Sequence, residues 1–408
     1  MMDKLKQNIG SIRTIGLLLG PAFVAAIAYV DPGNFATNLS AGSKYGYLLL
    51  WVLVVANLMA SLVQYLSAKL GLVTGRSLPE IVRDRLSERA RVSYWLQAEL
   101  AAIATDIAEV LGGAIALQLL FSLPLLLGGI ITGAVSMLLL LIQGKRGQKT
   151  FERVTFGLLL IIPIGFIAGL ITKPPHAAGM VHGLLPNFHG QDSVLLAAGI
   201  LGATVMPHVI YLHSALARDR HGKVGTRKLK RLLKATRIDV GIAMLIAGGV
   251  NITMLLLAAS ALKGIAGTDT LVGAYHAIST HVSSIVATLF ALGLLASGLA
   301  STAVGCYAGS VVMDGLLQRQ ISLFIRRLVT LIPALLIIAI GFDPTRALVL
   351  SQVVLSFAIP FAVIPLVRAT ADKKLMGKHV NNQATTVVAW LVTGAIVLLN
   401  VFLIVLTI

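Results

Sequence analysis

Apolar residues run through this chain in blocks long enough to cross a bilayer, and the polar positions that interrupt them are few and clustered. A membrane helix needs about 20 predominantly apolar residues. By that measure eleven segments are predicted, at 12–42, 46–68, 95–119, 124–142, 154–172, 193–217, 237–262, 282–313, 323–341, 346–368 and 385–407. The first is interrupted at Asp31-Pro32-Gly33 and the sixth near Pro207. The third and fourth are separated only by a Phe121-Ser122-Leu123-Pro124 turn, and reading through that turn would reduce the count to ten. The expected fold class is an all-α polytopic membrane protein, one transmembrane domain over residues 1–408.

Five spans separate the starts of the two interrupted segments, so the sixth crosses in the opposite direction from the first. Matching interruptions in oppositely oriented halves are the sequence mark of a transporter's midplane site. The pattern therefore predicts a first inverted repeat over 12–172, a second over 193–368, and an additional helix over 385–407.

Composition agrees with the pattern. The chain is 57% hydrophobic and 12% charged, against about a quarter charged in soluble domains, and its mean hydropathy is +0.90. The polar stretch from Met1 to Gly10 leads into the first apolar block with no small-residue cleavage site, and is read as retained rather than as a signal peptide. A net charge of +17 raises the question of nucleic acid, but the placement of the charges answers it. Of 33 Lys and Arg residues, only Lys44, Lys173, Lys263 and Arg346 fall in the connections of one side. This is the positive-inside pattern. It predicts a cell-membrane protein with a cytoplasmic N-terminus and an extracytoplasmic C-terminus. The basic 218–237 loop then reads as a solvated inner loop in reach of anionic lipid. No phosphate-cradling glycine loop is present, so ATP has no predicted role. No obligate protein partner and no resident cofactor are expected. The single cysteine, Cys306, reads as a packing residue. His176, His182 and His189 sit in an outer loop at spacings unsuited to a dedicated metal site.

The candidate chemistry lies at the breaks. Pro32 has no N–H and Gly33 permits unusual backbone angles, so unwinding there frees carbonyls such as that of Ala28. Asp31 adds a charge and Asn34 a neutral oxygen. In segment 6, Pro207 loosens the carbonyl of Ala203, and Met206 adjoins the break. A methionine in an apolar helix is ordinarily filler, but beside a second break it places sulfur among oxygens. Calcium and magnesium favour all-oxygen shells, whereas sulfur tilts a site toward transition metals. One thioether among oxygens suits Mn2+ and Fe2+, entering partly hydrated. Segment 3 carries Glu99, Asp106 and Glu109 along one stripe, and acids inside a membrane span mark ion or proton paths by default. His208 and His213 follow the segment 6 break, and imidazole titrates near physiological pH when unperturbed. Arg326 and Arg327 open segment 9, either as a cytosolic cap or as partners of the segment 3 acids.

Asp31-Pro32-Gly33-Asn34 and Met206-Pro207-His208 resemble the first-helix and sixth-helix motifs of the Nramp family of proton-coupled divalent metal transporters, bacterial manganese transporters in particular. The resemblance spans all eleven segments. It implies a LeuT-like 5+5 fold with helices 1 and 6 unwound at mid-membrane. It also implies metal ligation by Asp31, Asn34, Met206 and the backbone oxygens of Ala28 and Ala203. Proton coupling through Asp31, His208, Asp106, Glu109, Arg326 and Arg327 is implied likewise, with symport of Mn2+ or Fe2+ into the cytoplasm. Two positions depart from the family pattern: Ala358 and Ser310 stand where relatives often carry glutamine, and Gln352 and Ser356 are not obvious substitutes. The rival readings are a magnesium transporter on the same scaffold, against which Met206 argues, an uncoupled channel, and an intramembrane metal-dependent enzyme. The last would need a clustered histidine and acid set that the sequence does not offer.

Overall fold

The computed structural model describes residues 20–146, 157, 162–222, 225–319 and 321–407. The predicted start of segment 1 and most of the first turns of segment 5 lie outside them. The described residues are almost wholly helical. In chain order the helices are α1 (Pro21–Ala28), α2 (Pro32–Tyr45), α3 (Leu50–Thr74), α4 (Leu78–Arg83), α5 (Glu88–Phe121) and α6 (Leu125–Arg146). They continue with α7 (Ile162–Thr172), α8 (Ala177–Gly183), α9 (Gly190–Thr204), α10 (Pro207–His221), α11 (Thr226–Ala261) and α12 (Leu271–His281). The last are α13 (Ser284–Leu317), α14 (Leu323–Ala339), α15 (Pro344–Thr370), α16 (Lys373–Met376) and α17 (Gln383–Thr407).

Among the described residues, seven helical stretches are long and apolar enough to cross a membrane, one of them α9 and α10 taken together. Both predicted interruptions are present: α1 gives way to α2 at Tyr29–Asp31, and α9 to α10 at Val205–Met206. The chain also turns between α5 and α6, where Ser122 adopts a left-handed φ of 55°.

The two broken helices occupy the centre. α2 packs on α11, α10 on α3, and α9 on α15, while α5 lies along α13. α17 packs on α15 and α9 and is the least buried of the long helices. Close approach at the centre depends on missing side chains. A Cβ on Gly202 would lie 1.9 Å from the Gln352 carbonyl oxygen of α15, and one on Gly71 2.0 Å from the Ser214 carbonyl oxygen of α10. Lipid tails are as apolar as leucine, so such contacts rather than hydrophobicity select which helix faces meet.

α15 shows how prolines are accommodated in a span. Pro360 and Pro365 cannot donate to the carbonyls of Ser356 and Phe361 one turn earlier. Asn400 of α17 donates its Nδ2 to the Ser356 carbonyl at 2.8 Å, and the Tyr94 hydroxyl of α5 donates to the Phe361 carbonyl. Each freed acceptor is thus met by a neighbouring helix, as an apolar surrounding requires.

Candidate metal and proton site

The first break is held open by side chains from outside it. Asn251 Nδ2 of α11 donates to the Tyr29 carbonyl at 2.6 Å, and Ser297 Oγ of α13 to the Val30 carbonyl at 2.5 Å. Pro32 has no N–H for the Ala28 carbonyl, and among the described residues no other donor reaches it. Asp31 is the N-cap of α2, where a carboxylate meets free N–H groups and the positive end of the helix. Its Oδ1 accepts from the Asn34 backbone N–H and from Asn34 Nδ2, both at 2.8 Å.

The second break faces the first. Pro207 removes the donor to the Ala203 carbonyl, and Asn34 Nδ2 reaches across to that oxygen at 3.1 Å. One amide therefore ties Asp31 to Ala203, and Asn34 reaches that carbonyl over a separation of 169 residues. Met206 is the N-cap of α10 and, like Asp31 and Asn34, is fully buried. Asp31 Oδ2, Asn34 Oδ1 and Thr204 Oγ1 have no hydrogen-bond partner among the described residues. An unpaired buried acceptor ordinarily costs about 1–3 kcal/mol. Unpaired oxygens at two breaks that Asn34 bridges are groups a bound cation would satisfy.

Segment 10 requires a correction. The family resemblance puts a glutamine at the place of Ala358, with Gln352 and Ser356 as no obvious substitutes. In the structure Ala358 packs with Ala101, Ala104 and Leu355, within an apolar cluster of α5 and α15. Gln352 is the residue at the break: a Cβ on Gly33 would overlap its side chain, 1.9 Å from Nε2. Gln352 is fully buried and its Oε1 is unpartnered. A neutral amide midway along an apolar span was the available signal. Its distance from Ala358, six positions along the helix, puts the two on different faces. Ser310 is half-buried and donates to the Tyr307 carbonyl at 2.8 Å, which keeps it within its own helix.

The acids of segment 3 run from this site along α5. Gly112, one turn beyond Glu109, packs against the Pro32 ring, where a Cβ would lie 2.2 Å from the proline Cβ. Arg327 Nη1 lies 2.6 Å from Asp106 Oδ1 and 3.9 Å from Glu109 Oε2, and Arg327 Nε donates to Ser136 Oγ at 2.9 Å. Arg326 Nη2 pairs with Glu99 Oε2 at 2.7 Å. Of the two readings of these arginines, the pairing with segment 3 is the one observed, and the helix-cap role falls to Ser322. Asp106 and Arg327 are buried, whereas Glu99 is partly exposed. Both carboxylate oxygens of Glu109 lack hydrogen-bond partners among the described residues. The small residues of α13 make this possible: Gly305 lies beneath the Glu109 carboxylate and Gly309 beneath the Arg326 guanidinium.

The two histidines take different surroundings. His208 Nδ1 is 3.3 Å from Thr105 Oγ1, whose own proton goes to the Ala101 carbonyl at 3.1 Å. That assigns the proton to Nδ1 and leaves Nε2, which is unpartnered, as the free acceptor. His213 Nδ1 donates to Gln64 Oε1 at 2.7 Å, and Gln64 Nε2 bonds the Tyr29 hydroxyl. His213 therefore joins α10 to α3 and the first break rather than to the acids of α5. Thr105, Ser136, Gln64 and Tyr29 carry no distinct signal in the sequence, because the neighbour that a lone hydroxyl or amide in a span meets is set by helix packing.

Comparison with known proteins identifies the family. Residues 22–406 match the model of the Nramp (natural resistance-associated macrophage protein-like) family. The chain is 61% identical over 402 residues to the divalent metal cation transporter MntH of Mycobacterium tuberculosis, covering 98% of this chain and 93% of the relative. It is 49% identical over 408 residues to the MntH of Bacillus subtilis, covering 99% and 96%. The fold superposes on the crystal structure of the Eremococcus coleocola manganese transporter with a TM-score of 0.86 at 33% identity, covering 96% of this chain and 86% of that one. A TM-score of 0.63 at 16% identity to the nucleobase-cation symporter Mhp1 reports a shared fold alone. With a family match over nearly its whole length and both broken-helix motifs in place, the chain is a member of the Nramp family.

Proposed function

We propose that this protein is a proton-coupled secondary transporter that imports divalent transition-metal ions, Mn2+ and also Fe2+, into the cytoplasm by alternating access. The observation that carries this reading is the convergence of Asp31, Asn34 and the Ala203 carbonyl at two facing helix breaks, with acceptors left unpartnered. The names of the MntH relatives and of the Eremococcus coleocola transporter support the substrate class.

In this reading Asp31, Asn34, Met206 and the Ala28 and Ala203 carbonyls hold the metal, and Gln352 is added as a neutral oxygen from segment 10. The two repeats, 12–172 and 193–368, move against one another about this site, with the N-terminus cytoplasmic. Asp31 ligates only as carboxylate, so metal entry displaces any proton it carries. Glu109 stands one turn from the Pro32 contact with no hydrogen bond to hold its charge, and is the group suited to take a proton onward. Asp106 is clamped by Arg327, and the Arg326–Glu99 pair continues toward the solvent end of α5. His208, through its open Nε2, is the second acceptor beside the site. Met206 separates this reading from a magnesium carrier, since a thioether adds little to a shell for a hard cation.

Manganese uptake into proteoliposomes, with internal pH recorded, tests the proposal. Uptake accompanied by internal acidification is expected, and Asp31→Asn abolishes both. Uptake indifferent to the pH gradient defeats coupling, and uptake that survives Asp31→Asn defeats the site.

A further inference from the structure

A cavity lies where α4 and the start of α5 meet the C-terminal half of α15. Its volume is about 410 Å3. Its walls are apolar, formed by Leu86, Phe361 and Ile364 among others, with Tyr94 between them and Arg85 and Arg368 at the rim. The two guanidiniums differ. Arg85 Nη2 is 2.8 Å from Asp372 Oδ2, whereas Arg368 is exposed and has no ion pair or side-chain hydrogen bond among the described residues. Phe361 is 47% exposed, so the apolar wall is open to the surroundings of the helix.

We propose that this cavity binds an anionic phospholipid, its phosphate on Arg368 and Arg85 and an acyl chain along Phe361 and Ile364. Both halves of the site are needed for the assignment. A free phosphate has no use for the apolar wall, and a neutral lipid leaves the Arg368 charge unanswered. A guanidinium meets a phosphate with two parallel hydrogen bonds, and the leaflet facing a basic surface supplies anionic headgroups. The assignment of that leaflet rests on the orientation proposed above. The position gives the lipid something to brace. Tyr94 bonds the Phe361 carbonyl that Pro365 leaves free, and its hydroxyl lies 3.0 Å from that of Tyr211 on α10. The cavity thus borders the junction joining α5, α10 and α15, and an occupant holds those helices together.

The test is native mass spectrometry of the full-length protein purified in detergent with equimolar phosphatidylglycerol and phosphatidylcholine. Phosphatidylglycerol should be retained over phosphatidylcholine by about fivefold, the weight of one basic residue at an anionic surface. Arg368→Gln should bring the ratio close to one, Arg368→Lys should retain part of the preference, and Arg319→Gln should leave it unchanged. Arg85→Gln, expected to weaken it partially, serves where Arg368→Gln gives no folded protein. Equal retention of the two lipids by the wild type, an unchanged preference in the Arg368→Gln and Arg85→Gln proteins, or an adduct of phosphate alone overturns the site. Manganese binding measured on the same samples keeps this outcome separate from the metal-transport reading.

Discussion

Asp31 has one carboxylate oxygen occupied by its own helix and the other open, and that division is what a ligand needs. Oδ1 fixes the side chain through the Asn34 N–H and amide, so Oδ2 is positioned without being used. Gln352 is in a comparable position, packed over Gly33 with Oε1 unpartnered. Gln352→Ala should weaken manganese binding by about tenfold, within the range for a supporting group at a metal site. It should lower thermal stability only slightly, because the variant gives up the Nε2 bond to Ser351 Oγ at 3.2 Å but also removes an unsatisfied acceptor. Calorimetric titration and thermal unfolding read the two effects separately. Arg327 presents the opposite case, since its removal leaves two acids buried without a cation. Arg327→Met should cost about 3–5 kcal/mol, seen as loss of folded protein on size exclusion after heating. Adding Asp106→Asn should recover much of the loss.

Among the elements, proline and glycine set what each helix can do. Pro32 and Pro207 free the carbonyls of Ala28 and Ala203 at the two breaks, the second met by Asn34 from the facing break. Pro360 and Pro365 free carbonyls that Asn400 and Tyr94 of neighbouring helices take. The same residue type opens one helix and is closed off in another, depending on what the neighbouring helix offers. Gly202 allows α9 to lie against the backbone of α15. In Gly202→Ala the new Cβ meets a carbonyl oxygen that cannot rotate away, so a cost of at least the usual 1–3 kcal/mol for overpacking, about 3, is expected. Its melting temperature should fall and manganese uptake should be lost. Gly249→Ala in α11, where a Cβ meets nothing within 4 Å, should be neutral or slightly stabilising.

On the scale of the whole molecule, the short helix α4 couples the ends of the long ones outside the spans. Leu78 N–H donates to Ser214 Oγ of α10 at 2.9 Å, and Arg218 of α10 pairs with Glu80 at 2.8 Å. Partial burial pulls the Glu80 carboxyl upward, but the Ser77 N–H and Arg218 outweigh it and hold it below its ordinary 4.5. A depressed folded value means that the stabilisation is present above about pH 4.5 and is lost as pH falls through the lowered value. Glu80→Gln should therefore lower the melting temperature at pH 7 by an amount equivalent to about 1 kcal/mol. The difference from wild type should shrink as the pH falls through that lowered value, and thermal unfolding along an acid titration checks it.

The sequence by itself determined the class of fold, the two breaks and the residues that flank them. Those features are local: apolar length decides a span, and proline with glycine decides an interruption, whatever lies alongside. The acids Glu99, Asp106 and Glu109 also marked segment 3 as a candidate ion or proton path, because an acid in a span has no inexpensive explanation. Tertiary structure alone decided which polar groups meet. Gln352 and Ala358 share one helix, and only the approach of α15 to Gly33 and to Ala101 shows which of them faces the break. Arg327 could have capped its helix; it became the partner of Asp106 because glycines of α13 leave room for the charged cluster beside them. Partnerships of this kind depend on distances between helices, which the order of residues along one helix does not contain.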